Sequence, residues 1–273
     1  MFETVSDTFV RFSVFVAVFV AMALFELARP RRRLNAPKGK RWLTNLTIVA
    51  IDSIVVRLLA MLAVPIAAVA GAAYTQVQGL GLLNWLAWPA WFETIIAITI
   101  LDLAIWLQHV ASHKMPMFWR LHQVHHADTD IDVSTGIRFH PIEIALSMLW
   151  KIAVVFVLGP SAFAVFLFEI ILNAGALFSH ANVRLPARLD RVLRAIIVTP
   201  DMHRAHHSVL QHEHNSNYGF NFSLWDKAFG TYTAEPEKGH ENMVIGLISY
   251  QSEAPAKLTW SLMLPFRSSQ KGD

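Results

Sequence analysis

The chain has 273 residues, of which 54% are hydrophobic and only 16% charged, a balance too apolar for an ordinary soluble domain of this length. Its net charge of +3 is concentrated beside apolar runs rather than along a stripe, which argues against a nucleic-acid footprint. Cysteine is absent, so disulfides, thiolate metal sites and Cys-ligated iron–sulfur clusters are excluded, and any metal falls to the 13 histidines and the carboxylates.

The N-terminal stretch Met1-Phe2-Glu3-Thr4-Val5-Ser6-Asp7 carries acids where a signal peptide would carry a basic region, so the apolar run after it reads as a retained span. Four apolar regions, 8–28, 43–74, 80–108 and 142–178, are each long enough to cross about 30 Å of hydrocarbon. Gly159-Pro160-Ser161 divides the last into a hairpin, giving four to five spans. Between the first two regions lie Arg29, Arg31, Arg32, Arg33, Lys38, Lys40 and Arg41 with no intervening acid, which the positive-inside rule assigns to the cytoplasm. Counting five spans from there puts 112–141 and everything after His180 on the cytoplasmic side, in the bacterial inner membrane. The expected fold is therefore an all-α, multi-pass bundle with a cytoplasmic histidine-rich cap, which the histidine pattern below makes the holder of a dimetal site. It forms one integral-membrane domain over 1–273: N-terminal spans to 101, a histidine-motif region over 102–232, which the resemblance given below makes the catalytic one, and a tail over 233–273. Asp52, Arg57 and Asp102 fall inside apolar runs, where an unpaired charge costs at least about 2.5 kcal/mol. An ion pair among them is the simpler expectation, and a carboxylate of Asp102 supporting a metal ligand is the other.

The histidines are patterned. His109 and His113 stand four apart at the end of the third apolar region, on one helical face. His122, His125 and His126 follow at i, i+3 and i+4, and His203, His206 and His207 repeat that spacing. A lone His180 lies where the apolar hairpin ends. With 13 histidines in 273 residues, the chance that a given one has others at both +3 and +4 is about (13/273)², roughly 0.002, and it happens twice. His212, His214 and His240 lack such spacing and read as ordinary polar residues, while His140 suits either ligation or a hydrogen bond where the chain re-enters the membrane. Nine clustered imidazoles oversupply one metal, since zinc takes four ligands and an octahedral ion six; two metals fit the count, with identity left open among iron, zinc, copper and nickel.

The succession H-x3-H, H-x2-H-H, a single His and a second H-x2-H-H, followed by Asn217-Tyr218-Gly219 and Leu224-Trp225-Asp226-Lys227-Ala228-Phe229-Gly230-Thr231, resembles the fatty acid hydroxylase and sterol desaturase superfamily. The likeness covers 102–232, with Arg138-Phe139-His140-Pro141-Ile142-Glu143 also matching. It implies a di-iron centre ligated by His109, His113, His122, His125, His126, His180, His203, His206 and His207. It also implies O2-dependent hydroxylation or desaturation of an unactivated C–H bond in a lipid, fatty acyl, sterol or related. No fused cytochrome b5 domain and no G-x-G-x-x-G fingerprint is present, so electrons are expected from a separate ferredoxin or cytochrome b5 type of donor. Two other classes compete. A histidine-rich transporter or sensor would place its ionisable groups near the bilayer midplane, and a zinc hydrolase would need an open coordination position and a carboxylate base, for which no His-Glu-x-x-His appears.

Overall fold

The computed structural model describes residues 5–62, 68–85 and 87–267; the readings of the first four residues and of the last six lie outside them. Among the described residues the regular structure is entirely helical, apart from isolated bridges such as Pro30 with Val183. Prolines punctuate it because a ring without an N–H is tolerated at a helix start and not inside. Helix α1, Val5–Ala28, stops short of Pro30, and α2, Lys38–Leu62, starts after Pro37. A short α3, Ala68–Gln78, precedes α4, Ala90–Lys114, which follows Pro89. Helix α5, Pro116–His126, and α6, Pro141–Leu158, each carry Pro in the first turn. Helix α7, Ala162–His180, is capped by Ser161, whose hydroxyl accepts from Ala164 N. The hairpin before it turns on Gly159 at φ 64°, and Gly81 packs so closely there that a Cβ on Gly81 would lie 2.4 Å from Gly159 N. Short helices follow: α8 (Ala187–Leu193), α9 (Pro200–His206), α10 (Gln211–His214) and α11 (Leu224–Ala228).

Five helices, α1, α2, α4, α6 and α7, are long and apolar enough to cross a membrane, making this a multi-pass membrane protein of the expected class. The apolar region 43–74 is thus one spanning helix plus α3, whose 11 residues rise only about 16 Å. Helix α3 is built of small residues, Ala68, Ala70, Gly71 and Ala72, all buried, which lets it pack tightly against α6 and α7. Outward-facing side chains such as Phe12, Val157 and Phe163 are largely exposed and present the apolar surface that lipid covers.

The helix ends sort into two faces. At one, Glu93 Oε1 and Oε2 accept from Ser161 N and Oγ at 2.8 Å each, tying α4 to the α6–α7 hairpin. At the other, Glu26 of α1 accepts from Val133 N at 2.6 Å and Asn182 N at 2.9 Å, joining α1, the loop after α5 and the end of α7. All nine patterned histidines belong to this second face. There Arg41 of α2, 1% exposed, forks onto Asp128 (2.5 and 2.8 Å) and Asp132 (2.7 Å). Arg138, fully buried, donates to Val124 O, Asn45 Oδ1, Pro255 O and Ser261 Oγ, all at 2.8 Å.

The expected ion pair among Asp52, Arg57 and Asp102 does not form. Arg57 is exposed on α2, Asp52 is buried with Oδ1 unpartnered, and Asp102 instead accepts from Asn221 Nδ2, Phe222 N and Trp225 Nε1. The charge pairing inside the bundle is elsewhere: Glu169 of α7 bridges Arg11 of α1 and Lys151 of α6. Arg41→Ala leaves Asp128 and Asp132 buried and uncompensated, and is expected to cost about 3–5 kcal/mol. A thermal midpoint of the purified protein within a degree or two of wild type would contradict this account of the cap.

Candidate metal centre

The nine histidines reach the centre from four elements. Helix α4 presents His109 and His113 one turn apart, α5 adds His122, His125 and His126, α7 contributes its last residue His180, and α9 with the residue after it supplies His203, His206 and His207. These nine, and only these among the described residues, fall into two groups whose ligand atoms lie within 4.8 Å of one another. One comprises His109, His113, His122, His126 and His206, the other His125, His180, His203 and His207.

The outer nitrogen of five rings is spent on a fixed acceptor. His109 Nδ1 lies 2.7 Å from Tyr218 O, His122 Nδ1 2.6 Å from Glu143 Oε1, His125 Nδ1 3.2 Å from Arg138 O, His180 Nδ1 2.7 Å from Ala176 O and His206 Nδ1 2.6 Å from Ser216 O. A carbonyl can only accept, so the Nδ1 atoms of His109, His125, His180 and His206 carry the proton and their Nε2 atoms turn a bare lone pair inward. Those lone pairs face one another. His109 Nε2 is 3.1 Å from both His122 Nε2 and His206 Nε2, and His180 Nε2 is 3.1 Å from His125 Nε2; His203, whose Nδ1 has no acceptor, brings its Nε2 to 3.0 Å from His180 Nε2. Both ring nitrogens of His113, His126 and His207 are buried without any hydrogen-bond partner. Converging neutral lone pairs and orphaned buried nitrogens fit a pair of cations, which the imidazoles could hold from both groups.

Protons are a poor substitute for those cations. Burial, then the neighbouring imidazoles, holds His125, His126, His203, His206 and His207 well below the ordinary histidine range. Burial alone pushes His122 down to about 3, despite the carboxylate beside its Nδ1.

The supporting acceptors are themselves held. Asp226 Oδ1 accepts from Tyr218 N at 2.9 Å and Trp106 Nε1 at 3.0 Å, and its Oδ2 accepts from Gly219 N at 2.8 Å, which fixes the Tyr218 carbonyl over His109. Asn217, left-handed at φ 51°, donates to Met202 O and Thr233 O and so pins the same turn to α9. Asp102 therefore serves the centre through the 221–225 segment rather than by touching a ring.

Of the remaining histidines, His140 caps α6 by accepting from Ile142 N, and its Nε2 donates to Leu262 O at 3.2 Å, the hydrogen-bonding role and not ligation. His212 is exposed. His240 is buried against Glu235, Nε2 to Oε2 2.9 Å. His214 departs from its reading as an ordinary polar residue: it is buried, its ring centre 4.4 Å from that of His126 and 4.8 Å from those of His113 and Trp119, with Nδ1 unpartnered. Its isolation in sequence gave no spacing to notice. Glu143 shows no role in the sequence, and only the fold brings it to His122.

The family model for the fatty acid hydroxylases matches residues 94–231, just over half of the chain. The chain belongs to the fatty acid hydroxylase family. The match runs from α4 to just beyond α11, so it holds all nine clustered histidines together with Glu143, Tyr218 and Asp226, and leaves α1 to α3 outside. Ornithine lipid hydroxylase OlsE of Rhizobium tropici is 32% identical over 154 residues, 55% of this chain and 44% of that protein. Alkylglycerol monooxygenases are also similar: that of Homo sapiens is 29% identical over 159 residues and that of Caenorhabditis elegans 27% over 178. These cover 57% and 62% of this chain but 33% of either relative, so the chain spans a third to under half of the curated relatives it matches. No solved structure gives a significant match.

In this family member, the depressed imidazoles set a pH dependence for the metal-free protein. The unfolded chain takes up protons below about 6.5 that the folded cage refuses until about pH 3 at His122. Stability is therefore present above pH 6.5 and lost as pH falls, by about 1.4 kcal/mol per pH unit for each such group. Chelator-treated protein is expected to melt at a steadily lower temperature as pH falls below about 6.5 towards 5; a flat profile there would refute the neutral cage.

Proposed function

We propose that this chain is a membrane-bound, two-metal oxygenase that hydroxylates or desaturates an unactivated C–H bond of a lipid. The observation that carries the reading is the set of imidazole Nε2 atoms converging at 3.0–3.1 Å in a buried site at the end of a membrane bundle. On this reading His109, His113, His122, His126 and His206 hold one metal, and His125, His180, His203 and His207 the other. The relatives named as lipid hydroxylase and monooxygenases support a lipid substrate and oxygenase chemistry, and an imidazole-only site that has to work on O2 suits iron. Iron, bound there, supplies the redox chemistry that couples O2 to attack on a C–H bond.

The chain's own residues do the rest. The four Nδ1 protons held by carbonyls, with Glu143 at His122, set the angle of the rings before any metal arrives, so loading costs little reorganisation. Phe139 stacks on His125 with ring centres 4.4 Å apart, and Trp119 packs 5.2 Å from His113, keeping water off the rings. Hydroxylation and desaturation differ only in how the substrate carbon is placed, so the lipid-facing contacts decide the outcome. Electrons come from a separate donor of the ferredoxin or cytochrome b5 type. The basic residues between α1 and α2 support a cytoplasm-facing cap, where such a donor is accessible.

Comparative lipid mass spectrometry of membranes with and without the protein is expected to reveal a lipid gaining one oxygen atom or losing two hydrogens. An unchanged lipid profile, with the protein metal-loaded and supplied with reductant and O2, would overturn the reading. Elemental analysis is expected to give two metal atoms per chain, zinc being able to replace iron because it stands higher in the affinity series. His125→Ala and His206→Ala, one from each group, are expected to abolish turnover with the protein still inserted; more than about a tenth of wild-type turnover in either would contradict the ligand sets. Glu143→Ala leaves every ligand in place yet frees the His122 ring, and is expected to weaken metal retention about 10–100-fold in chelator competition.

A further inference from the structure

Where α1 ends and α2 begins there is a cavity of about 760 Å³ that the histidine chemistry does not use. Five cations line it, Arg31, Arg32, Arg33, Lys38 and Arg184, against two carboxylates, Glu26 and Glu241. Some of that charge is already answered. Arg31 pairs with Asp201 and Glu241, Arg184 pairs with Glu241, and Lys38 stands 3.6 Å from Glu26. Arg32 is different. It is only 8% exposed and its Nη1 donates to Met243 O at 2.8 Å, but its Nε is buried without an acceptor. A buried guanidinium N–H left unpaired is costly, and an oxyanion beside it removes that cost. Arg33 is exposed at the same cavity.

The cavity's position selects the anion. It lies between the end of one candidate span, Asp7–Ala28, and the start of the next, Lys38–Met61, which is the depth of lipid headgroups. Its rim includes Leu27, Pro30 and Leu34, and Leu27 is 72% exposed on α1. Basic pockets at the ends of spanning helices attract anionic headgroups, and a recess of this volume accommodates a small charged group rather than a protein surface. We propose that this cavity binds the phosphate of an anionic phospholipid, with the acyl chains lying along α1 from Leu27 outward. It is a site for a bound membrane lipid and does not depend on which lipid the histidine centre acts upon.

The test uses full-length, detergent-purified protein stripped of lipid. Thermal shift and native mass spectrometry follow binding of phosphatidylglycerol, phosphatidylcholine, inorganic phosphate and an acidic ferredoxin. Phosphatidylglycerol is expected to bind more tightly than phosphatidylcholine and to weaken about fivefold for each charge removed in Arg33→Gln and Lys38→Gln, and in Arg32→Gln. Arg33 is exposed, so Arg33→Gln is expected to keep the wild-type melting temperature without lipid and remains informative if Arg32→Gln misfolds. Equal binding of the two lipids, or phosphatidylglycerol affinity unchanged in Arg33→Gln and Lys38→Gln, would overturn the proposal. So would binding of inorganic phosphate with no preference for the anionic lipid, or variants that lose only the ferredoxin.

Discussion

Nine imidazoles can occupy one small volume only while they remain uncharged, and burial of the cluster enforces that. Ring centres as close as 4.3 Å, between His180 and His203, leave no room for several like charges in a buried site. Neutrality creates a second demand, because a neutral imidazole has one donor and one acceptor nitrogen and the fold has to choose which faces inward. The choice is made at Nδ1, by the carbonyls of Tyr218, Arg138, Ala176 and Ser216, with Glu143 holding the His122 ring. The rest of the cap can be understood as the means of holding those five acceptors still.

That work falls to buried charged groups that touch no metal candidate. Asp226 organises the turn that carries the Tyr218 carbonyl, and Asp102 fastens the next stretch to α4 through Asn221, Phe222 and Trp225. Arg138 uses its own carbonyl for His125 while its guanidinium ties α5, α2 and the 255–261 segment together. Arg41 locks the start of α2 to Asp128 and Asp132. Breaking one partner of such a group leaves the other charge stranded, so the cap gains rigidity from interactions that add little net stability as intact pairs.

The bundle beneath contributes by geometry. The ends of α1, α4 and α7 and the starts of α2 and α6 converge on one face, because each apolar stretch is long enough for a single crossing and the α6–α7 hairpin reverses tightly at Gly159. Histidines separated by as many as 97 residues, His109 and His206, thereby come within 3.1 Å. The Glu169 bridge to Arg11 and Lys151 holds α1 to this frame from inside the apolar zone, where the penalty for separating the charges is large.

The sequence by itself determined the class of the fold, its four to five crossings and the nine histidines that the fold collects, because apolar length and the i, i+3, i+4 spacing are local properties of a helix; that there are five is decided by the structure, where 43–74 holds one spanning helix. It could not apportion those histidines between two groups: His122 and His125 are neighbours on α5 yet belong to different ones, which depends on where α7 and α9 arrive. It mispaired Asp52, Arg57 and Asp102, since hydropathy marks a buried charge without naming its partner, and it passed over Arg11, Lys151 and Glu169. His214 has no spacing to distinguish it and becomes part of the site's wall only when α10 folds against His126. Which ring nitrogen faces inward, and so whether the cluster offers lone pairs or protons, rests on carbonyls up to 109 residues away in the chain, and only the tertiary structure could decide it.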